Sequence, residues 1–542
     1  MTINDLESEE LLATSDKHDK SASGSTISPA LLAADETDEA IVFTPNQQLP
    51  PDFRLLPGET LVSIVTPPAR TPHHMPSSLQ EVMRLTKAKN IHEIGHFGPS
   101  IAALALQTGE EVSEHLRLYE TLFGRDSLRV AMSLIDVAPQ LARATVYELA
   151  RHQGTAYEAS REEEPGRIVH EVRDPDEAIA RELTETRGWG WPYYGTVDAT
   201  PEFIRTLAAY CKKTGDYDFL NQDYVDRDQK ARTIAHALER ALTWIETRLA
   251  ANPQGLLEHK AAIEKGIENQ VWKDSWDSYS HADGTIANHR QGVASFEVQV
   301  AVYDALIDAA ELLEQGLQMP GRALQLRLRA EALRDTILEM FWTEDKGGYF
   351  VLGTDRDDDG TLRQLKVRAS NMGHALNSRL LDSHDPEIIR KKEAVIKQLF
   401  TPELLGRAGI RTLASDEVRY RPGSYHNGSV WLWDTHYIAT GLRRHEREDL
   451  ADDLDQRLLD VVTETRMLPE YARGDADEIA LNQHIVTVYD ETAGKLNTIE
   501  QLPQEVQAWT AAAVLEIKTR LGRQHRLRTT ITPPRQLETV AA

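Results

Sequence analysis

Between about residue 78 and residue 523, apolar residues recur near every 3.6 positions, in stretches separated by polar, Gly- and Pro-marked joints. The spacing predicts helices at SLQEVMRLTKA (78–88), SLRVAMSLIDV (127–137), QLARATVYELARHQG (140–154), PEFIRTLAAYCKKTG (201–215) and ARTIAHALERALTWIETRLA (231–250). It predicts more at 294–316, 321–342, 386–400, 429–446 and 506–521. No segment repeats at a fixed spacing, so a solenoid is not expected. Many helices joined by loops of very unequal length suit a closed ring of helical hairpins, although periodicity alone does not choose a ring over an irregular bundle.

The two ends of the chain read differently. Residues 1–40 carry ten acidic residues against Lys17 and Lys20, and they are expected to form a disordered acidic tail. Residues 41–77 hold two short β-type runs, IVF and TLVSIV, separated by Pro and Gly; a small strand pair is expected there. The helical pattern defines a catalytic domain over 78–525, and 526–542 reads as a loose tail.

Composition narrows the function. A net charge of −26 argues against nucleic acid and against an anionic membrane surface, and is compatible with a neutral ligand such as a sugar. No apolar run approaches the length of a membrane helix. The acidic start lacks an apolar signal region, and a single cysteine, Cys211, allows no intramolecular disulfide; a cytoplasmic location is the expectation.

Seven of the nine tryptophans, Trp189, Trp191, Trp272, Trp276, Trp431, Trp433 and Trp509, fall in loop-like stretches rich in Gly and Asp. A sugar site needs this mixture, because an indole stacks on the apolar face of a pyranose while carboxylates bind its hydroxyls. Five segments concentrate such residues. LFGRDSL holds Arg125 and Asp126. GRIVHE and WGWPYYGTVDATPEF hold His170, Glu171, Tyr194 and Asp198. NQVWKDSWDSYSHADG holds Asp274, Asp277 and Asp283. SNMGHALNSRLL and GIRTLASDEVRYRPGSYHNGSVW hold Asn371, His374, His426 and Asn427. MLPEYARG and VQAWTAAAV hold Glu470, Gln507 and Trp509.

Taken in order, these motifs resemble the helical amylo-1,6-glucosidase domain of glycogen debranching enzymes, with the likeness running from about residue 120 to 515. The resemblance implies an all-α (α/α)6 barrel, shared with glucoamylase and trehalase, a pocket at one end, and inversion at the anomeric carbon. Inverting hydrolysis places two carboxyl groups about 6.5–9.5 Å apart, one protonating the leaving oxygen and one activating water. By the W-x-D pattern the general acid is expected at Asp274, with Asp277 as its rival; the two lie three residues apart between tryptophans. The general base is expected at Glu470. Arg125 and Asp126 resemble a pair that grips hydroxyls of the terminal sugar. Tyr194, Asp198, Trp272, Lys273, Trp276, Glu297, Gln299, Asn371, His374, His426, Asn427, Trp431, Gln507 and Trp509 complete the expected substrate-binding set. The chemistry needs no metal or organic cofactor.

The chain departs from the debranching pattern. LWDTH follows YHNGSVW, Tyr471 and Arg473 stand in LPEYARG, and there is no room for a second transferase domain. A small α-glycoside (glucosylglycerate, mannosylglycerate, trehalose or sucrose) is therefore an alternative substrate, and an inactive sugar-binding protein is another reading. HEIGH at 92–96 matches the zinc-peptidase pattern, but Gly95, Gly98 and Pro99 break the helix that would put His92 and His96 on one face.

Overall fold

A computed structural model describes residues 40–43, 60–65, 121–490, 495–505 and 507–531. The expected acidic tail over 1–39, the helix at 78–88, the HEIGH segment and the last eleven residues lie outside the described residues.

Eleven α-helices are described: α1 (Gly124–Ser133), α2 (Pro139–Arg151), α3 (Ala178–Arg187), α4 (Ala199–Thr214), α5 (Ile234–Ala251), α6 (Phe296–Gln315), α7 (Pro320–Met340), α8 (Pro386–Leu399), α9 (Leu432–Arg444), α10 (Glu448–Thr465) and α11 (Ala508–Ile531). Nine of them fall on stretches that the periodicity selects; α3 and α10 are not among those. Local chemistry marks the ends. Asp385 accepts from the Glu387 N–H just ahead of Pro386, and Thr233 accepts from His236 N–H at the start of α5.

The packing closes a ring. Helix α1 packs on α4, α4 on α6, and α6 on a 3-10 segment, Ser370–Asn377; that segment packs on α9, α9 on α11, and α11 back on α1. Outside this ring α2 lies against α1 and α4, α5 against α4 and α6, α7 against α6, α8 against the 3-10 segment, and α10 against α9. The fold is an (α/α)6 barrel. Burial follows position: α6, in the inner ring, buries residues around its whole circumference, Glu297, Gln299 and Asp304 included. Outer α7 buries one stripe, Ala323, Leu326, Ala330, Leu333 and Ile337, at the spacing of a single helix face. Its other side leaves Leu324 and Leu328 exposed.

Fifteen strands are described, numbered in chain order; β5 (Asp223–Val225) pairs with β6 (Ala231–Thr233), β8 (Trp342–Thr343) with β9 (Tyr349–Phe350), and β10 (Gly353–Arg356) with β11 (Leu362–Leu365). Other short strands mark where the chain enters the inner ring. β3 (Leu122–Phe123) leads into α1, β7 (Ala294–Ser295) into α6 and β12 (Val430–Trp431) into α9; β3 pairs with β4 (Glu171–Val172), and β12 with β13 (Tyr471–Ala472). The strands expected between 41 and 70 form as β1 (Ala40–Phe43) and β2 (Thr60–Val65), paired in parallel. They do not stand alone. β2 pairs antiparallel with β14 (Ile485–Asp490), which forms a hairpin with β15 (Lys495–Glu500), giving one sheet in the order β1-β2-β14-β15. The sequence reading does not anticipate that hairpin.

Truncating the inward stripe of α7 tests this layering. Leu326→Ala is expected to cost about 2–5 kcal/mol of unfolding free energy, whereas Leu328→Ala, on the exposed side, changes it by less than about 0.5 kcal/mol. Denaturant unfolding of the two variants measures both.

Candidate active site

The candidate residues lie at the start of an inner segment or in the connection that leads into one. Arg125 and Asp126 open α1, Asp198 precedes α4, Asp274 and Asp277 lie in the loop ahead of α6, His426 and Asn427 come before α9, and Glu470 comes before α11. Close backbone approach brings these segments together. A Cβ at Gly124 would lie 2.0 Å from the Val169 carbonyl oxygen, so only glycine lets the start of α1 meet the strand after it. A Cβ at Gly474 would lie 1.8 Å from the Gly428 carbonyl oxygen, which is how YHNG and LPEYARG come together.

The centre is the buried Arg125 guanidinium. Its nitrogens lie 3.6 Å from Asp126, 3.7 Å from Asp198 and 3.6 Å from Asp274. The side chains of Arg125, Asp198 and Asp126 are 5%, 4% and 13% exposed, whereas that of Asp274 is 28% exposed, so Asp274 presents the most accessible of these carboxyls. Burial pushes Asp274 up to about 7; Arg125 opposes the shift, and the charges of Asp126 and Asp198 add to it. Burial also pushes Glu470 up to about 7, with Asp274 and Asp126 adding to the rise. Against that rise, Tyr425 Oη donates to Glu470 Oε1 at 2.6 Å and the Gln504 N–H donates to Oε2 at 3.3 Å. Both carboxyls are thus held near neutrality, chiefly by burial.

Asp277 differs. Its Oδ2 accepts from Asn427 Nδ2 at 2.9 Å and Asn497 Nδ2 at 3.0 Å, with Arg419 Nη2 at 3.4 Å.

An aromatic wall stands beside the carboxyls. The Trp272 ring meets Trp433 at 5.0 Å, Trp431 at 5.9 Å and His374 at 6.2 Å, and Trp509 meets Trp433 at 5.2 Å and Trp431 at 5.9 Å. Trp509 Nε1 donates to the Asp126 carbonyl, which ties the last inner helix to the first. His426 stacks on Trp431. Its Nδ1 takes the Ser275 N–H at 3.4 Å and lies 2.7 Å from Ser275 Oγ, so Nδ1 is the acceptor. Burial keeps the ring neutral by lowering it well below the usual histidine range, which leaves the proton on Nε2, a buried donor without a hydrogen-bond partner among the described residues.

Other expected residues are placed as supports. Lys273 is buried, donates to the Thr412 carbonyl at 2.6 Å and is pushed down to about 8 by burial. Glu297 accepts from Tyr279 at 2.5 Å. His374 Nε2 lies 2.7 Å from Asp434. Asn371 is buried in the 3-10 segment of the ring. Gln299 holds both the N–H and the carbonyl of Leu257, and Gln507 Oε1 accepts from the Trp509 N–H. The Tyr194 hydroxyl turns to the His152 carbonyl and Arg227. The Trp276 ring lies beside Arg419. Trp189 and Trp191 belong to a separate apolar cluster with Leu183, Tyr193 and Ile267. His170 packs between Phe123 and Tyr193, and Glu171 pairs with Arg173. Asp283 is exposed and caps Thr285. Tyr425 and Ser275 are additions to the expected set, and both sit inside motifs already singled out. Arg419 is a further addition within one of those segments, and Asn497 another, in a hairpin that carries no local signature.

Residues 225–484 match the family model for the mannosylglycerate hydrolase MGH1-like glycoside hydrolase domain. This stretch carries a glycoside hydrolase domain. The match spans just under half of the chain; it includes Asp274 and Glu470 and stops short of Arg125, Asp198 and Trp509. A GH63 mannosylglycerate hydrolase from Thermus thermophilus, in complex with Tris and D-glycerate, is 14% identical, with a TM-score of 0.49 over 74% of this chain and 94% of that one. A bacterial glucoamylase complexed with acarbose is 13% identical, with a TM-score of 0.48 over 82% of this chain and 55% of that one. No curated protein sequence matches the chain.

The raised Asp274 carboxyl carries a stability signature. A group with a folded-state value near 7 and an ordinary value of 3.8 favours the folded state while it is protonated in both states. That contribution is present below about pH 4 and is lost as pH rises through about 7. Asp274→Asn removes the cost of the buried charge, so at pH 8 the variant should melt about one to a few degrees above wild type. The difference should vanish at pH 4. Calorimetry at the two pH values checks this, and equal melting at both would mean that Asp274 ionises normally.

Proposed function

We propose that the protein is an inverting hydrolase of a small α-glycoside, with Asp274 as general acid and Glu470 as general base. One observation carries the reading: two buried carboxyls, both held near neutrality, at the end of the barrel where the aromatic wall and the Arg125 cluster meet. Two donors at Glu470 favour its anion, and the two carboxylates beside Asp274 favour its neutral acid. An inverting enzyme requires one carboxyl in each of these two states.

In this reading the Asp274 carboxyl gives its proton to the glycosidic oxygen as the bond from that oxygen to the anomeric carbon breaks. Glu470 takes a proton from a water whose oxygen attacks the same carbon from the opposite face. The sugar leaves with its anomeric configuration inverted, Asp274 leaves ionised and Glu470 protonated, and solvent exchange restores both. Asp126 and Asp198, beside the Arg125 guanidinium, accept hydrogen bonds from sugar hydroxyls. Trp272, Trp431 and Trp509 supply apolar stacking surface, and His426 Nε2–H is a further donor to a hydroxyl or to the glycosidic region.

The Gln504 N–H reaches Glu470, and Tyr471 Oη donates to the Gln501 carbonyl, so the segment after β15 lies against the base. The likeness of residues 225–484 to a mannosylglycerate-hydrolase-type domain favours a small aglycone over a branched polymer and makes a sugar joined to a small acid such as glycerate the first candidate. The ordered debranching-type motifs favour a second reading, an α-1,6-glucosidase acting on short oligosaccharides.

A hydrolysis screen of mannosylglycerate, glucosylglycerate, trehalose, sucrose, maltose, isomaltose and panose distinguishes these readings. Release from a glycerate glycoside or a small disaccharide is expected, and release confined to the α-1,6 oligosaccharides would favour the second reading. Asp274→Asn and Glu470→Gln should each lower kcat by about 10²–10⁴-fold or more. No release from any substrate would contradict hydrolysis of these bonds.

The pH profile gives an independent check. The wild-type kcat/KM should be bell-shaped with a maximum near neutrality, because Asp274 must be protonated and Glu470 ionised. A profile flat from pH 5 to 9 would remove the pair from the chemistry.

A further inference from the structure

The loop bearing Asp274 is tightly tied. Ser278 Oγ donates to the Lys273 carbonyl at 2.5 Å and to the Ser275 carbonyl at 2.8 Å, and Asn269 Nδ2 donates to the carbonyls of Ser275 and Trp276. Residues 273–278 therefore move as one turn, and displacement at one end carries to the other. Asp277 is the outward tie of that turn. Three donors from three separate parts of the chain converge on its single Oδ2: Asn427 from YHNG, Arg419 from the loop before it, and Asn497 from β15. Asn427 Nδ2 also reaches the Asp277 carbonyl at 3.2 Å. Arg419 in turn pairs with Asp490 of β14 at 2.9 Å and donates to the Gly284 carbonyl at 3.1 Å. The β14–β15 hairpin thus holds the acid-bearing turn twice, through Asn497 directly and through Asp490 and Arg419. The hairpin itself is anchored in the sheet with β1 and β2, outside the ring of helices.

We propose that Asp277 is a positioning residue for Asp274, and that the β14–β15 hairpin sets the aim of the acid through Asn497 and the Arg419–Asp490 pair. The inference rests on the reading of Asp274 as general acid. An oxygen already shared among two amides and a guanidinium is a structural acceptor. What it fixes is the placement of the turn, and small misplacements of a reacting group cost large factors in rate.

The test separates aim from general damage by varying the need for an acid. A glycoside with an alcohol leaving group needs its oxygen protonated, whereas fluoride, the anion of a far stronger acid, departs with little protonation. The wild-type enzyme and its variants are compared on the α-glycoside that it cleaves and on α-D-glucosyl and α-D-mannosyl fluoride. Asn497→Ala should lower kcat on the glycoside about 10-fold, change KM less than about twofold, and leave the fluoride within about twofold. Asp277→Asn, which keeps one acceptor oxygen for the amides, should behave similarly and retain both limbs of the pH profile. Asp274→Asn is the control and should lose the glycoside while keeping the fluoride. Equal loss on both substrates in Asn497→Ala and Asp277→Asn would overturn the positioning role. An Asp277→Asn variant that alone loses the glycoside and the alkaline limb would make Asp277 the acid. If Asp274→Asn keeps the glycoside, or loses glycoside and fluoride alike, the reading of Asp274 fails instead, whatever the hairpin variants do.

Discussion

One guanidinium surrounded by carboxylates sets the terms for the rest of the site. Arg125 is buried within 4 Å of Asp126, Asp198 and Asp274, and Glu470 feels the charges of Asp274 and Asp126. A single cation cannot neutralise so many anions in a place with little water. Burial raises Asp274 and Glu470 toward neutral pH, and the neighbouring carboxylates add to the rise. Burial thereby produces from ordinary aspartate and glutamate the two protonation states that acid and base catalysis at a glycosidic bond demand.

The barrel explains how residues spread over nearly four hundred positions reach that guanidinium. Inner segments and the connections leading into them supply the residues, Arg125 from the start of α1, Asp198 from just ahead of α4, and Asp274 and Glu470 from longer loops. Closure of the ring has its own side-chain tie: Trp509 on the last inner helix donates to the backbone of Asp126 on the first. The two ends of the catalytic region are therefore fastened at the site itself, and loss of that contact would open the ring where the sugar is expected to bind.

Much of this was legible in the sequence, for identifiable reasons. Helices that bury one clean stripe announce themselves by periodicity, as α7 does with Ala323, Leu326 and Ala330. Motif residues such as Arg125, Asp274, His426 and Glu470 stand beside Gly and Trp in loops, where a purely structural role would not call for that mixture. Three things were less legible. A ring element that is a 3-10 segment, Ser370–Asn377, gives no 3.6-residue signal. Helix α10 carries many acidic residues on its outer face, which mask its apolar stripe of Ala451, Leu454, Leu458 and Val461. The roles of Asp274 and Asp277 could not be separated by spacing, because the difference lies in partners distant in the chain: Arg125, Asp126 and Asp198 for one, Arg419, Asn427 and Asn497 for the other. Trp189 and Trp191 show the converse error, since tryptophans in a Gly-rich loop turned out to build a satellite apolar cluster.

The central claim is that Asp274 and Glu470 act from opposite faces of one bond, and stereochemistry reports this directly. Proton NMR of an α-glycoside during the first minutes of hydrolysis resolves the anomer released before mutarotation. The β anomer is expected as the first product; accumulation of the α anomer would contradict the account.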